Sequence, residues 1–391
     1  MIRVAILGST GSIGKSTLEV IERHPERFRV VALAANQALE SLAAQVDRYT
    51  PDVAVLSSGN GVGEVADLPP ALWKEGREAL LELTESPDVD VVVNALVGSA
   101  GLEPTIRTLR AGKRLALANK ESLVAGGDLV VAAAEEGGGE LIPVDSEHSA
   151  ILQCLEGYEM DAVARLVLTA SGGPFRGWSR ERLETVHPSQ ALNHPTWAMG
   201  AKITVDSATL ANKALEVIEA HFLYGIGYDS LDVVVHPQSI VHSFVEFIDG
   251  SVLAQLGFPT MELPILYAMS YPERVEDGVL RTFDPVKASP LVFEDVDREA
   301  FTLFSLGERA GREGGTSPAV YNAANEMVVE AFLQEKLGFS EMGEVVAGTL
   351  DRLGGRPMED LDHVLQTDRE ARRVSVELIR VHQGKVSKKT S

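Results

Sequence analysis

The sequence predicts an α/β protein in three parts: a parallel sheet over residues 1–148, a second α/β region containing a β-hairpin over 149–276 and, beyond a linker at 277–297, a helical bundle over 298–391. Three observations predict it. Short runs rich in Val, Ala and Leu alternate with helical segments through the first part, the rhythm of βαβ units. Asp249-Gly250 stands between the alternating runs Ser243–Ile248 and Ser251–Leu256, a strong hairpin signal. Past the linker, apolar residues recur at helical spacing. A chain of 391 residues, at roughly 150 residues per domain, is expected to hold two or three domains.

Taken in order, the first strands are Val4–Leu7, Val30–Ala34, Val53–Leu56, Val91–Leu96 and Leu115–Ala118, with a helix through Leu18, Val20 and Ile21 after the first. Leu141–Val144 is a further apolar run, and Arg165–Thr169 is a strand of the second region. Ser207 to Glu216 reads as one capped helix that buries Leu210, Ala214, Leu215 and Ile218. The stretch 277–297 carries Pro, Asp and Glu without a period, hence the linker. Ser317-Pro318 sets an N-cap before a Pro at the first helical position, and Asn322–Gln334 continues without a breaker. Leu361, Val364, Leu365, Ala371, Val374 and Leu378 mark an amphipathic helix of roughly six turns. Gly384–Ser391 reads as a short solvated tail.

Composition narrows the function. Apolar residues make up 45% and charged ones 24%, so a sizeable core can form. Thirty-five basic against 57 acidic side chains leave a net charge of −22, which repels nucleic acid and anionic membranes and makes neither an expected partner. An anionic substrate would need a pocket with its own positive charge and hydrogen-bond donors. Cys154 stands alone, which excludes a zinc site built on thiolates and fits a reducing compartment. No apolar stretch approaches the ~18 residues of a membrane span, and Met1–Leu7 already alternates like a strand, leaving no room for a targeting peptide. A cytoplasmic protein is expected.

Gly8-Ser-Thr-Gly11-Ser-Ile-Gly14 follows the first strand and opens a helix, the place where glycines let a backbone approach a pyrophosphate. A Rossmann-like first domain follows from that reading. A tight turn without a ligand would have the same composition. Ser9 to Ser16 also matches a phosphate loop, G-x-x-x-x-G-K-[ST], at every position but the first, with Leu141–Asp145 as a candidate strand and magnesium-binding Asp, so an NTPase is a competing reading. Where an NAD enzyme places an acid on the ribose, this chain has Ala35-Asn36-Gln37, which is compatible with a 2′-phosphate.

Asp145-Ser146-Glu147 follows Leu141–Val144, and two residues apart on an extended segment project to one side. Alternatively the pair decorates the first turn of a helix starting near Ser149. Asn212, Lys213 and Glu216 share one helix face, either as a solvated face or, with Asp145 and Glu147, as part of an all-oxygen set for a hard divalent cation. Ser171-Gly-Gly-Pro ends a strand with donors suited to an oxyanion or phosphate, or is a plain turn. His187–Gly200 is a polar stretch holding Asn193 to Met199, including His194, Trp197 and Ala198, which reads as a lid or a surface loop. His242 alternates with apolar neighbours and is a core or a ligand histidine.

The segments Leu7–Gly14, Leu117–Ser122, Val144–Ser149, Ser171–Phe175, His194–Trp197, Val205–Thr209, Asn212–Glu216, His236–Ser239 and Asn322–Glu326 occur in order, and over nearly its whole length the sequence resembles the 1-deoxy-D-xylulose 5-phosphate reductoisomerases. The resemblance displaces the NTPase, and a non-catalytic dinucleotide sensor would have no need of three convergent carboxylates. It implies a homodimer whose subunits have an NADPH-binding domain, a catalytic and dimerisation domain with a flexible loop, and a C-terminal helical domain. The implied reaction is metal-dependent isomerisation of 1-deoxy-D-xylulose 5-phosphate by retro-aldol and aldol steps, then NADPH reduction to 2-C-methyl-D-erythritol 4-phosphate, in the non-mevalonate route of isoprenoid biosynthesis. By matching position, Thr10, Gly11, Ser12, Ile13, Asn119, Glu121 and Gly200 would contact NADPH, with Asn36, where the chain departs from the family, left to recognise the 2′-phosphate, and Asp145, Glu147 and Glu216 would bind Mg²⁺ or Mn²⁺, with Co²⁺ a further candidate. Lys120, Ser146, Ser171, His194, Trp197, Ser207, Asn212 and Lys213 would hold the phosphorylated sugar, with Lys120 and the three carboxylates carrying the chemistry. Two departures stand out: Asn36-Gln37-Ala38 replaces a Gly-Lys-Asn type stretch at the 2′-phosphate, and Pro259-Thr-Met-Glu262 replaces Pro-Asp-Met-Arg.

Overall fold

The computed structural model describes the chain except residues 60, 63–67, 198, 282, 390 and 391, and describes 384–389 through the backbone alone. The chain divides into two compact units. The first comprises Met1–Ser122, Asp128–Ser149 and Thr260–Arg281, the second Leu123–Gly127, Ala150–Pro259 and Thr282–Ser391.

In chain order the opening elements are β1 (Ile2–Leu7), α1 (Ser12–Arg23), β2 (Phe28–Ala35), α2 (Leu39–Tyr49), β3 (Val53–Leu56), β4 (Leu72–Glu75), α3 (Gly76–Glu85), β5 (Val91–Asn94), α4 (Leu102–Arg110), β6 (Arg114–Leu117), α5 (Lys120–Gly137) and β7 (Glu140–Pro143). Among the described residues the seven strands form one sheet in the order β4-β3-β2-β1-β5-β6-β7, every pair parallel. Central strands of such a sheet are covered on both faces and therefore read as continuous apolar runs. β4, Leu-Trp-Lys-Glu at the sheet edge, has no such run and escapes the sequence reading. The order reverses at β1, between β2 and β5, so a crevice opens beyond the C-terminal ends of those strands.

The chain continues through α6 (Ser146–Leu155), β8 (Val163–Ala170), α7 (Arg180–Leu183), α8 (Pro188–Ala191), α9 (Ala201–Ala208), α10 (Ala211–Tyr224), β9 (Leu231–Val235), β10 (Val241–Phe247) and β11 (Val252–Leu256). It ends with α11 (Glu262–Ser270), α12 (Pro285–Ala288), β12 (Glu294–Asp295), α13 (Thr302–Glu313), α14 (Ser317–Leu333), α15 (Glu341–Leu353) and α16 (Leu361–Lys389). The second sheet runs β11-β10-β8-β9-β12. β10 and β11 are the expected hairpin, closed by Gly250 at φ +85° and by Asp249 accepting from the Ser251 N–H and hydroxyl. Leu166, Leu168, Val233 and Val245 of this sheet share one core with Leu215, Ile218, Phe304 and Tyr321 of the helices.

Several expectations change. The helix expected over Ser207–Glu216 is two helices, α9 and α10, because Leu210 sits in the left-handed region at φ +58°. The linker stretch contains α12 and a short strand, β12, that pairs with β9. The region expected as a tail from Gly384 continues α16 to Lys389; Thr390 and Ser391 lie outside the described residues. α14 starts at Ser317 with Thr316 as its cap, one residue earlier than the Ser-Pro signal suggests. Thr260–Arg281 belongs with the N-terminal unit, whereas the sequence reading divided it between the middle region and the linker. Burial and charge hold it there: α11 buries Ile265, Leu266, Ala268 and Met269, Arg23 pairs with Glu262 at 2.7 Å and Asp277 at 2.8 Å, His24 Nε2 lies 3.1 Å from Asp277, and Arg27 pairs with Glu273 at 2.7 Å. Among the described residues no helix is long and apolar enough to cross a membrane.

Candidate active site

In the N-terminal unit the sequence-predicted residues gather where parallel strands end. β1 runs into Gly8, whose φ of +89° and whose place 2.5 Å from the Ala95 carbonyl oxygen, measured to a virtual Cβ, exclude any side chain. A Cβ on Gly14 would lie 2.4 Å from the Gly8 oxygen, so the start of α1 packs directly on the loop. Gly11 caps α1 without a side-chain bond, leaving first-turn N–H groups for an anion. Thr10, Gly11, Ser12 and Ile13 line this turn, and all are at least partly exposed. Ser9, the residue that spoils the phosphate-loop match, is fully buried, and its hydroxyl donates to Gln45 Oε1 at 2.7 Å while Gln45 Nε2 donates back to the Ser9 carbonyl at 2.8 Å. Gln45 is a loop-setting residue that sequence reasoning missed; a Gln on the exposed side of a helix pattern sends no signal.

Asn36 and Gln37 follow β2 and are exposed at the same edge. Asn119 also stands at this edge, after β6, but its amide is buried and donates to the carbonyls of Leu96 and Gly98 and to Glu121, while the Ser122 hydroxyl donates to its oxygen. It braces the loops after β5 and β6. Lys120 opens α5, and its ammonium meets Asp145 at 2.7 Å, because β6 and β7 are neighbours and both residues follow the strand ends. Glu147 lies in the first turn of α6, so the pair is not on one extended segment as the spacing suggested. Its carboxylate still comes within 4.8 Å of that of Asp145 and accepts from the Ser146 hydroxyl at 2.7 Å.

In the second unit β8 ends in Ser171-Gly172-Gly173, with φ of +82° and +64° at the two glycines. A Cβ on Gly173 would lie 2.6 Å from the Ser207 carbonyl oxygen, so glycine lets the strand end approach α9. His194 Nε2 sits 3.1 Å from Ser171 Oγ and 3.0 Å from Ser207 Oγ. Its Nδ1 accepts from the backbone N–H groups of Thr196, at 3.1 Å, and Trp197, at 2.9 Å. Those two donors require an unprotonated Nδ1, which places the imidazole proton on Nε2. Burial lowers the His194 pKa, consistent with a neutral ring. The polar stretch before it is not wholly irregular, since Pro188–Ala191 forms α8; Ala198 lies outside the described residues. Gly200 caps α9 and is exposed.

After the Leu210 break α10 presents Asn212, Lys213 and Glu216. Asn212 Nδ2 donates to Glu216 Oε1 at 2.5 Å, and the Lys213 ammonium pairs with Glu216 Oε2. The side chains of Lys213 and Glu216 are 4% and 1% exposed, which rules out the solvated-face reading. A buried carboxylate held by an amide and an ammonium is a costly arrangement for stability alone. His242 lies buried on β10.

Three family models match the chain: one described as 1-deoxy-D-xylulose 5-phosphate reductoisomerase over residues 4–127, its C-terminal domain over 141–224, and a further DXP reductoisomerase C-terminal domain over 256–374. A 1-deoxy-D-xylulose 5-phosphate reductoisomerase of Nocardia farcinica is 51% identical over 382 residues, covering 97% of this chain and 95% of the relative. That of Chloroherpeton thalassium is 49% identical over 376 residues, covering 95% and 97%. Among solved structures, the reductoisomerase from Zymomonas mobilis in complex with NADPH superposes with a TM-score of 0.90 at 41% identity, covering 97% of this chain and 99% of its own. A DOX-P reductoisomerase in complex with NADPH, fosmidomycin and magnesium also gives 0.90, at 38% identity, covering 98% and 99%.

Proposed function

The chain belongs to the 1-deoxy-D-xylulose 5-phosphate reductoisomerase family, and from that premise we propose which of its residues convert 1-deoxy-D-xylulose 5-phosphate to 2-C-methyl-D-erythritol 4-phosphate. The enzyme is an NADPH-dependent, metal-dependent oxidoreductase of isoprenoid precursor synthesis. These relatives lend no support to a phosphate-loop NTPase or a dinucleotide sensor. The observation that carries the site assignment is the half-buried donor set around Ser171, His194 and Ser207, together with the carboxylates of Asp145 and Glu147 at the strand ends.

The residues present fit both groups. Asp145 and Glu147 offer oxygen ligands within 4.8 Å of one another and no thiolate competes, the donor chemistry of Mg²⁺ or Mn²⁺; Glu216 is the proposed third carboxylate. The Gly8–Gly14 turn leaves no room for a side chain at Gly8 or Gly14 and presents free N–H groups at the start of α1, as a pyrophosphate requires. Thr10, Gly11, Ser12 and Ile13 are the proposed pyrophosphate contacts, with Asn36 toward the 2′-phosphate and Glu121 and Gly200 as further NADPH contacts. Asn119 supports them through the loops it braces. What the two bound groups supply is Lewis-acid polarisation of substrate oxygens and a hydride for the reduction.

The chain's own residues do the rest. Lys120 aims Asp145 through their 2.7 Å pair, and its ammonium is the donor for a developing negative charge on a substrate oxygen. Ser146 orients Glu147 by donating to it. Ser171, Ser207, the Nε2–H of His194, Asn212 and Lys213 form the donor-rich pocket that a protein of net charge −22 needs in order to hold a phosphate. Trp197, tied to His194 through its backbone N–H, covers the bound sugar and keeps water from the aldehyde. The working assembly is a homodimer in the cytoplasm, on the strength of the resemblance and of the single cysteine. Ser171→Ala tests the phosphate pocket: KM for the phosphorylated sugar should rise about fivefold, with binding of unphosphorylated 1-deoxy-D-xylulose unchanged. An equal loss for both sugars would remove Ser171 from the phosphate.

A further inference from the structure

The motif Asn322-Ala-Ala-Asn-Glu326 has no part in the site as described, yet its polar side chains are placed with care. Asn322 and Asn325 lie one turn apart on α14, both fully buried. Asn322 Nδ2 donates to Glu326 Oε1 at 3.2 Å, and Glu326 Oε2 pairs at 2.6 Å with Arg372, which also holds Asp368 at 2.8 Å. That half of the motif ties α14 to α16. The other half points to α9: Asn325 Nδ2 donates to Asp206 Oδ1 at 2.7 Å, and Lys202 Nζ sits 3.0 Å from Asp206 Oδ2. The Asp206 side chain is 1% exposed. Its carbonyl also accepts from the Thr209 hydroxyl at 3.1 Å, just before the Leu210 break.

A buried carboxylate contributes little net stability, and its loss of one donor is costly, so its value lies in specifying one arrangement over others. Apolar packing lets a short helix such as α9 rotate about its axis, whereas a hydrogen bond from a neighbouring helix fixes the azimuth of the residue that accepts it. Ser207 follows Asp206 directly, about 100° around the helix. Fixing Asp206 against α14 therefore fixes the direction of Ser207 Oγ, which stands 3.0 Å from His194 Nε2, itself 3.1 Å from Ser171 Oγ. We propose that Asn325 is a positioning residue for the phosphate pocket: from the C-terminal helices, through Asp206, it sets the Ser207 hydroxyl and the His194 ring. The inference rests on the assignment of Ser207 and His194 to the phosphate.

The test uses the full-length enzyme with Asn325→Leu, which keeps the branching at Cγ and loses the donor, Ser207→Ala, and the double variant. Asn325→Leu should raise the Kd for 1-deoxy-D-xylulose 5-phosphate about tenfold, leave the Kd for NADPH unchanged and move the ¹⁵N resonance of His194 Nε2. The double variant should bind no more weakly than Ser207→Ala alone, because both act through one hydroxyl. Additive losses, or a lower Tm with the substrate Kd and the His194 resonance unmoved, would overturn the proposal and leave Asn325 a packing residue. If Ser207→Ala itself leaves the substrate Kd unchanged, the phosphate assignment falls; if it weakens binding while Asn325→Leu does not, only the positioning role falls. Should Asn325→Leu not fold, Asn325→Ser, whose hydroxyl is too short to reach Asp206, takes its place with the same expected outcomes.

Discussion

Glu216 shows how burial changes the meaning of a residue. On sequence alone it belongs as readily to a solvated helix face, where replacement would cost little; in the structure it is buried against Asn212 and Lys213. Glu216→Gln should therefore raise the Mg²⁺ concentration for half-maximal turnover about 100-fold and also destabilise the fold by about 3 kcal/mol, since Lys213 loses its buried countercharge. A Mg²⁺ titration and urea unfolding measure the two effects, and an unchanged metal dependence would take Glu216 out of the metal site. His194 carries a pH prediction. Burial lowers its pKa in the folded state from about 6.5, the value expected unfolded. The associated stability is thus complete above the unfolded value and is lost as pH falls toward the folded one. Protonation at Nδ1 also breaks the bonds from Thr196 and Trp197. Urea unfolding at pH 7.5 and 5.5 should show a stability loss on acidification that is smaller in His194→Asn; equal losses in the two proteins would show that folding does not hold the His194 ring neutral.

Elements follow from short stretches of sequence only where both local geometry and burial agree. The strand-to-helix turn at Gly8–Gly14 is such a place, and it yields a sharp expectation. Gly14→Ala puts a methyl carbon against the Gly8 oxygen and the Ser9 Cα, both backbone atoms that cannot swing aside. It should cost about 1–3 kcal/mol of stability and weaken NADPH about tenfold by lifting α1 off the loop, measurable by NADPH fluorescence titration; an unaltered Kd would mean that this turn does not hold the cofactor. The central strands, the Asp249-Gly250 hairpin and the long helix α16 were all legible because period and punctuation carry them. β4 and β12 were not, being short edge strands without an apolar run. Nor was the break at Leu210, because a buried leucine at φ +58° leaves no trace in composition; the Thr209 hydroxyl closes the turn on the Asp206 carbonyl, and Asn325, distant in sequence, holds the Asp206 side chain. Among the proposed site residues, Asn212, Lys213 and Glu216 meet as their spacing on one helix face suggested, whereas Asp145 and Glu147 do not share an extended segment, and the pairs Ser9–Gln45 and Asp206–Asn325 span distances that spacing does not encode.

At the scale of the molecule, the chain returns late to complete its first unit. Thr260–Arg281 joins the N-terminal unit at the end of α1 and the turn after it, through Arg23, His24 and Arg27, pairs separated by more than 230 residues that no local pattern announces. Asp277 anchors this return: burial alone would raise its pKa, but bonds from the Val279 N–H, Arg23 and His24 outweigh it and hold the carboxyl below its ordinary value. One unit so completed carries the glycine turn, Lys120, Asp145 and Glu147, and the other carries Glu216 and the residues proposed to hold the phosphate, Ser171, His194, Ser207, Asn212 and Lys213. The central claim is that these residues together carry out a metal-dependent isomerisation coupled to reduction by NADPH. The direct test follows NADPH oxidation at 340 nm with 1-deoxy-D-xylulose 5-phosphate in the presence of Mn²⁺, and again after EDTA treatment. Oxidation that needs both the sugar phosphate and the metal, and that yields 2-C-methyl-D-erythritol 4-phosphate, is the predicted result; oxidation that proceeds at the same rate without the metal, or none with all components present, would contradict it.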